Sequence, residues 1–453
     1  MRKTIFGCLG AAALAFALQF TPADVQAQGI FGRLCDPCDA AGLCDPCDRI
    51  GNGSCFDNLD CAPCGALNGC GPKLGKWFLN GHMEAGFFAN GHGNKSTYNS
   101  PREADLTSGN TGFLQNTRLT GGQFNQLYLS AGRSVDGRRG LDIGGTVDFT
   151  WGSDGYKVQA AGMEYAAGHG QYGWGTGDYY AAFAQAYVEA EYGRLNVKAG
   201  KFYAPFGIDS YKSTENFFYS WSPTKYIVPT TAGGAYATYK LNDQLSVLGG
   251  WAMPDEIGEG TKYNTGIGGV TWTPGKRFTA SYTFAVGKNN YAAGGYRPLD
   301  ADVGRNDGSN VFVHSLNTTT HINQKLKYVF DWTLVNVTTK GWEQAGANPR
   351  VNWRTPVAQY ALMNELVYQH NRKWAFGTRF GVLNSNAYAA AGGATNDWYT
   401  VSLGANWTPN KWLTVKPEVR YDWVKGKNEV VTPFNGWNNT YQVSGGMSAV
   451  VKF

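Results

Sequence analysis

Leu141-Asp142-Ile143-Gly144-Gly145-Thr146-Val147-Asp148-Phe149-Thr150-Trp151 repeats with a period of two: odd positions are apolar or glycine, even positions Asp, Gly or Thr. An extended chain points successive side chains to opposite faces. This stretch therefore suits a strand with lipid on one side and water on the other. The same alternation recurs at Ala182–Tyr192, Leu195–Tyr203, Phe278–Val286, Leu326–Leu334, Trp374–Val382, Tyr399–Trp407, Leu413–Trp423 and Tyr441–Phe453. Weaker versions at 82–89, 124–132, 233–241, 245–252, 265–272, 309–317 and 358–368 bring the expected total to 16 strands.

The connections separate a closed barrel from a soluble sandwich. Short turns at 133–140, 192–194, 241–244, 273–277, 318–324, 369–373 and 408–411 alternate with long polar segments. The long ones are 90–123, 152–179, 204–232, 253–264, 287–308, 335–357, 383–397 and 424–439. A transmembrane antiparallel β-barrel has this asymmetry, with tight periplasmic turns, long external loops and both termini on the periplasmic side. Aromatic residues flank the hairpins Thr273–Arg277 (Trp272, Phe278) and Thr408–Lys411 (Trp407, Trp412), while Trp151, Trp251 and Trp423 mark the other ends. Amphipathic rings favour both headgroup levels. Pro417 falls inside a strand, where it removes a ladder donor; a bulge or a register near the rim is expected.

Composition agrees. The chain is 14% aromatic and only 16% charged, with 61 glycines, a balance that fits a barrel better than a soluble enzyme. A net charge of +5 is too small over this length to imply an acidic partner, nucleic acid included. Loss of Arg2, Lys3 and Asp24 with a leader lowers it by one.

That leader is expected over residues 1–27: a basic pair, an apolar run from Ile5 to Leu18, and the small-residue site Val25-Gln26-Ala27. The run is shorter than the ~20 residues of a spanning helix. Residues 28–74 form a small segment holding Cys35, Cys38, Cys44, Cys47, Cys55, Cys61, Cys64 and Cys70. It is too short to bury a core, and an even cysteine count in an exported chain favours disulfides. Cross-links to other envelope components and thiolate binding of zinc are the alternatives. Residues 75–453 are the barrel.

Two later stretches are familiar as well as patterned: Tyr360–Arg379 (YALMNELVYQHNRKWAFGTR) and Leu403–Trp423 (LGANWTPNKWLTVKPEVRYDW). They resemble the β-barrel porin-2 family, and Lys198–Gly207 (KAGKFYAPFG) is similar to a strand-plus-loop motif of the same barrels. The resemblance covers residues ~75–453 and leaves the cysteine segment outside. It implies an outer-membrane channel of poorly defined substrate.

The expected function is passive diffusion of small hydrophilic solutes or ions. The alternative is an envelope-anchoring barrel whose cysteine segment carries the function. Inward-facing charges are the candidate pore lining: Asp148, Glu189, Lys198, Asp331, Glu365, Arg379, Glu418 and Arg420, with Asp209, Lys212, Glu215 and Lys225 in the third long segment. Any polar lumen would carry such residues, and Lys416–Asp422 alternates in sign, so ion pairing competes with solute contact. The third segment is rich in aromatics, among them Phe206, Tyr211, Phe217, Phe218, Tyr219, Trp221 and Tyr226. Folding into the barrel would bury them; packing over the rim or against a neighbouring subunit is the other possibility. Tyr441, Val443, Val451 and Phe453 form a terminal strand of the kind read by the barrel-assembly machinery.

Enzymatic activity is not expected, because no nucleophile–base arrangement emerges. Gly168-His-Gly170-Gln-Tyr-Gly173 matches G-x-G-x-x-G, but in an external loop with no helix to open. No cofactor or metal is expected. The partners are outer-membrane lipid, the assembly machinery and small hydrophilic solutes, and a homo-oligomer is compatible with the pattern.

Overall fold

The computed structural model describes residues 75–90, 121–160, 162–166, 170–171, 174–176, 179–254, 265–289, 309–338, 357–385, 396–426, 434 and 439–453. The expected leader and cysteine segment lie outside these residues. Sixteen barrel strands follow one another in chain order. They are β1 (Trp77–Asn90), β2 (Gly121–Arg133), β3 (Asp142–Gly152), β4 (Tyr179–Tyr192), β5 (Leu195–Tyr203), β6 (Thr231–Lys240), β7 (Leu245–Pro254) and β8 (Thr265–Gly275). The second half comprises β9 (Phe278–Asn289), β10 (Ser309–His321), β11 (Leu326–Thr338), β12 (Val357–Gln369), β13 (Trp374–Ser385), β14 (Asn396–Asn410), β15 (Leu413–Gly426) and β16 (Tyr441–Lys452).

Each strand pairs antiparallel with its neighbours, and β16 pairs back onto β1 from His82↔Lys452 to Asn90↔Ser444. The sheet closes, so no edge is left unpaired in lipid. All 16 expected strands are present. Among the described residues no helix is long and apolar enough to cross a membrane; the crossings are strands.

The short turns share one local device. In four of them an asparagine side chain accepts hydrogen bonds from the backbone N–H groups two and three residues ahead: Asn242, Asn323, Asn371 and Asn410. The side chain replaces a backbone turn bond and fixes the hairpin register. Pro417 lies near this rim, paired with Met447 of β16. On its other side the registered pairing passes from Gly404↔Glu418 to Trp407↔Val415, and the irregularity lies just beyond, between Trp407 and Asn410.

The alternation sorts the faces as expected. Leu141, Ile143 and Val147 are exposed on the outer face, and Asp148 and Thr150 are buried inside. Aromatic rings cluster at the strand ends. Trp374 stacks on Trp407 at 6.0 Å, and Tyr399 on Trp423 at 5.1 Å. The hydrophobic core lies inside the barrel: Phe206, Ile227 and Val228 of the third segment pack against inward residues of β6 to β15, such as Ala252, Val313, Leu383 and Val424.

Candidate functional site inside the barrel

Residues 204–232 leave β5 and fold into the lumen. Pro205 O accepts from Thr283 Oγ1 on β9 at 2.7 Å, and Gly207 N donates to Ser315 Oγ on β10 at 2.9 Å. Ile208 N then donates to Asp331 Oδ2 on β11 at 3.2 Å. The chain crosses to the opposite wall, where Gln126 of β2 donates to Tyr211 O and accepts from Ser213 N, and the Tyr211 hydroxyl meets Thr150 on β3 at 3.0 Å. Lys416 of β15 donates to the carbonyls of Ser213 and Asn216. A short helix α1 (Pro223–Ile227), capped by Ser222, packs on β11 to β13 before the chain enters β6.

Ser220 is the hub. Its N–H and hydroxyl both donate to Glu418, at 2.8 and 2.6 Å. Arg379 donates to the Ser220 carbonyl at 2.8 Å and hydroxyl at 2.6 Å, and Arg420 reaches the hydroxyl at 3.1 Å. Arg379 also pairs with Glu418 at 3.4 Å and lies 4.5 Å from the Phe218 ring centre. Both arginines are essentially without solvent contact. Charge-assisted bonds of this kind, at full burial, are strong but demand that every partner be present.

The second long connection joins the filling. Glu164 accepts from Lys201 of β5 at 3.0 Å, with both side chains buried, and from the backbone of Ala160 and Phe183. Lys157 places its ammonium 3.4 Å from the Trp221 ring centre. Asp154 accepts from Gln126 at 3.0 Å. Burial pushes the Asp154 carboxyl up to about 6 and the Lys157 ammonium down to about 8, each shift opposed by the other's charge. The G-x-G-x-x-G stretch opens no helix in its described part; Gly170 and Gln171 pair with Tyr165 and Ala166.

The candidate residues therefore divide. Arg379, Glu418 and Arg420 converge on Ser220. Asp331 holds Ile208, and Asp209 accepts from Ser222 N at 2.8 Å. Glu365 is buried and registered opposite Arg379. Asp148 is consumed within the wall by Tyr128, Ser130 and Gln185. Lys212 and Glu215 face each other at 3.9 Å, and Lys225 lies 5.7 Å from the Trp221 ring centre. Glu189 and Lys198 form a cross-strand pair at 3.6 Å, apart from the rest and partly open to solvent. Sequence reasoning missed Gln126, Lys157, Glu164 and Lys201. Lys201 stood in a patterned strand, but its partner lies in a loop with no periodicity.

Among the described residues the two halves of the lumen differ. In the long-loop half, inward residues on strands around the wall are buried, among them Phe88, Ala182, Ala252, Val311, Leu383 and Val424. In the short-turn half, a chamber of about 460 Å³ lies between residues 203–211 and the walls of β6 to β10. Thr238 links it to a second, of about 280 Å³, among Glu189, Glu191, Arg194, Lys198 and Lys240 at the short-turn rim.

Comparison with known proteins agrees with this architecture. Residues 78–453 match the family described as "Putative beta-barrel porin-2, OmpL-like". Among solved structures, the outer membrane channel DcaP of Acinetobacter baumannii is similar at 13% identity and a TM-score of 0.54, covering 83% of this chain and 97% of its own. An anion-selective porin from Comamonas acidovorans is similar at 11% identity and a TM-score of 0.50, covering 83% and 99%. At such identities the likeness concerns the fold. No curated protein matches the sequence.

Proposed function

Since the chain belongs to the β-barrel porin-2, OmpL-like family and is an outer-membrane porin, we propose that it passes small hydrophilic solutes by diffusion and that residues 204–232 govern passage. The observation that carries the reading is the ring of polar contacts from β2, β3, β9, β10, β11, β13 and β15 to this one segment. A segment tied to so many strands sets the free cross-section, and the long-loop half conducts when it shifts. Ion preference then follows from whichever charges its movement uncovers.

The test is single-channel conductance in planar bilayers. Replacing Tyr211–Tyr226 with a short Gly/Ser linker should raise conductance and admit larger sugars. Replacing Lys212 and Lys225 with Glu should shift preference toward cations, because fixed charge at a constriction is little screened. Equal conductance and selectivity in all variants would reject control by the segment.

Burial of the long-loop half favours a second reading, in which the barrel is a closed anchor and residues 28–74, placed in the periplasm, carry the function through their cysteines. A folded protein that stays silent, with the segment deleted as well as intact, would favour it. Insertion by the barrel-assembly machinery and a homo-oligomeric state belong to both readings.

A further inference from the structure

The two sides of the inner wall differ in chemistry. From β11 round to β3 the inward face carries Asp331, Glu365, Arg379, Glu418 and Arg420, all buried and all but Glu365 hydrogen-bonded to residues 204–232. From β7 to β10 the stretches 246–252, 265–273, 279–285 and 311–319, whose alternate residues face inward, include no Asp, Glu, Lys or Arg. In their place stands a row of neutral hydrogen-bonding side chains. Ser246 is registered opposite Thr271, Thr271 opposite Ser281, and Ser281 opposite Asn317. Four adjacent strands thus present one rung each, at one height, and all four line the larger chamber.

We propose that this chamber is a binding site for a neutral polyhydroxylated solute of mono- or disaccharide size, deepening the porin reading on which it rests. Three physical points support that class. Hydroxyl and amide side chains both donate and accept, so they match a ligand whose groups do the same. Thr271 and Ser281 hydroxyls already lie 3.0 Å apart, which leaves each a further bond to offer. On the β7–β10 side a charged solute would shed water against a wall that offers no counter-charge, whereas a neutral one would not. The facing segment adds Asp209 and Glu215, acceptors for sugar hydroxyls, and Lys225, a donor, so its charges are of both signs; the chamber of about 460 Å³ falls within the usual range for small-molecule sites. Selectivity then arises from the neutral wall, while the buried charges hold the segment in place.

The experiment uses the full chain folded in micelles, with sucrose as probe and gluconate and glucosamine as charged comparisons, binding being followed by saturation-transfer NMR. Saturable sucrose binding, weakened about tenfold in a Thr271→Val, Ser281→Ala double variant, is expected from the loss of two hydrogen bonds. The valine keeps the threonine's shape, and heat-modifiable mobility checks that the variant is folded. Unchanged sucrose affinity in that variant, or gluconate or glucosamine binding as tightly as sucrose, would overturn the proposal. So would absence of saturable binding by a protein that conducts, and the porin reading would then stand. Sucrose binding by a protein that never conducts, even with Tyr211–Tyr226 replaced, would keep the chamber and overturn the channel.

Discussion

The ammonium of Lys157 lies 3.4 Å from the centre of the Trp221 ring, and this contact joins the second long connection to the third inside the barrel. Both groups are shielded from water, where a cation–π pair is worth about 2 kcal/mol. Trp221 also packs edge-on against Tyr211 at 6.4 Å. A Lys157→Met, Trp221→Leu double-mutant cycle, read by denaturant unfolding in micelles, should give a coupling of about 1–2 kcal/mol. Additive effects of the two substitutions would mean that the connections dock independently.

The strands were legible because lipid and lumen differ so sharply that one face of every strand must be apolar; Leu141–Trp151 alone declares it. The role of the charges was not. Glu189 and Lys198 straddle a tight turn, so their pairing follows from register. Arg379 is registered opposite Glu365, yet it reaches across β14 to Glu418 and Ser220. Alternation tells which side chains point inward. It does not tell whether water or another segment meets them, and here a segment does.

Glu418 should matter most among these charges. Glu418→Ala removes the acceptor of two Ser220 bonds and the ion-pair partner of buried Arg379, a loss of roughly 3–5 kcal/mol for a buried pair. The barrel ladder is untouched, so the cost falls on docking of the segment. Trypsin should then cut at Lys212 and Lys225 in otherwise folded protein, with conductance raised. Protection equal to wild type would show that Ser220 is held by other contacts.

At the short-turn rim the closing ladder of β1 and β16 ends on a small contact. Gly81 and Phe453 exchange backbone hydrogen bonds at 2.9 and 3.0 Å, and a Cβ on Gly81 would meet the Phe453 ring at 2.6 Å and Tyr128 O at 2.5 Å. Gly81→Leu, deletion of Phe453, or Val451→Asp with Phe453→Asp should each leave the chain exported but poorly inserted. Charge on the lipid face adds to the loss: roughly 2–4 kcal/mol for Arg or Lys at midplane, less for Asp. Normal membrane levels of a heat-modifiable form in all three would remove this rim from the assembly signal.

For the cysteine segment, thiol labelling of denatured, unreduced protein should find almost no free thiol among Cys35, Cys38, Cys44, Cys47, Cys55, Cys61, Cys64 and Cys70. A reducing gel that collapses larger species to the monomer would instead assign intermolecular bonds. Stoichiometric zinc with reactive thiols would sink the disulfide reading.

Acidity should tighten the filling of the barrel. Asp154 is raised from 3.8 to about 6 by burial, so its contribution to docking is fully present below 3.8 and is lost as pH rises through 6. Lys157 is lowered from 10.5 to about 8 by burial, so its contribution is present above 10.5 and is lost as pH falls through 8. Between 6 and 8 both are charged and docking is weakest. Taking the pH from 7 to 5 protonates Asp154 and should lower conductance and slow trypsin cleavage at Lys212 and Lys225. Asp154→Asn should reduce that step and move the variant at pH 7 toward the behaviour of wild type at pH 5. A variant that keeps the full response would place the titrating group elsewhere, and conductance rising on acidification would reverse the sign argued from burial.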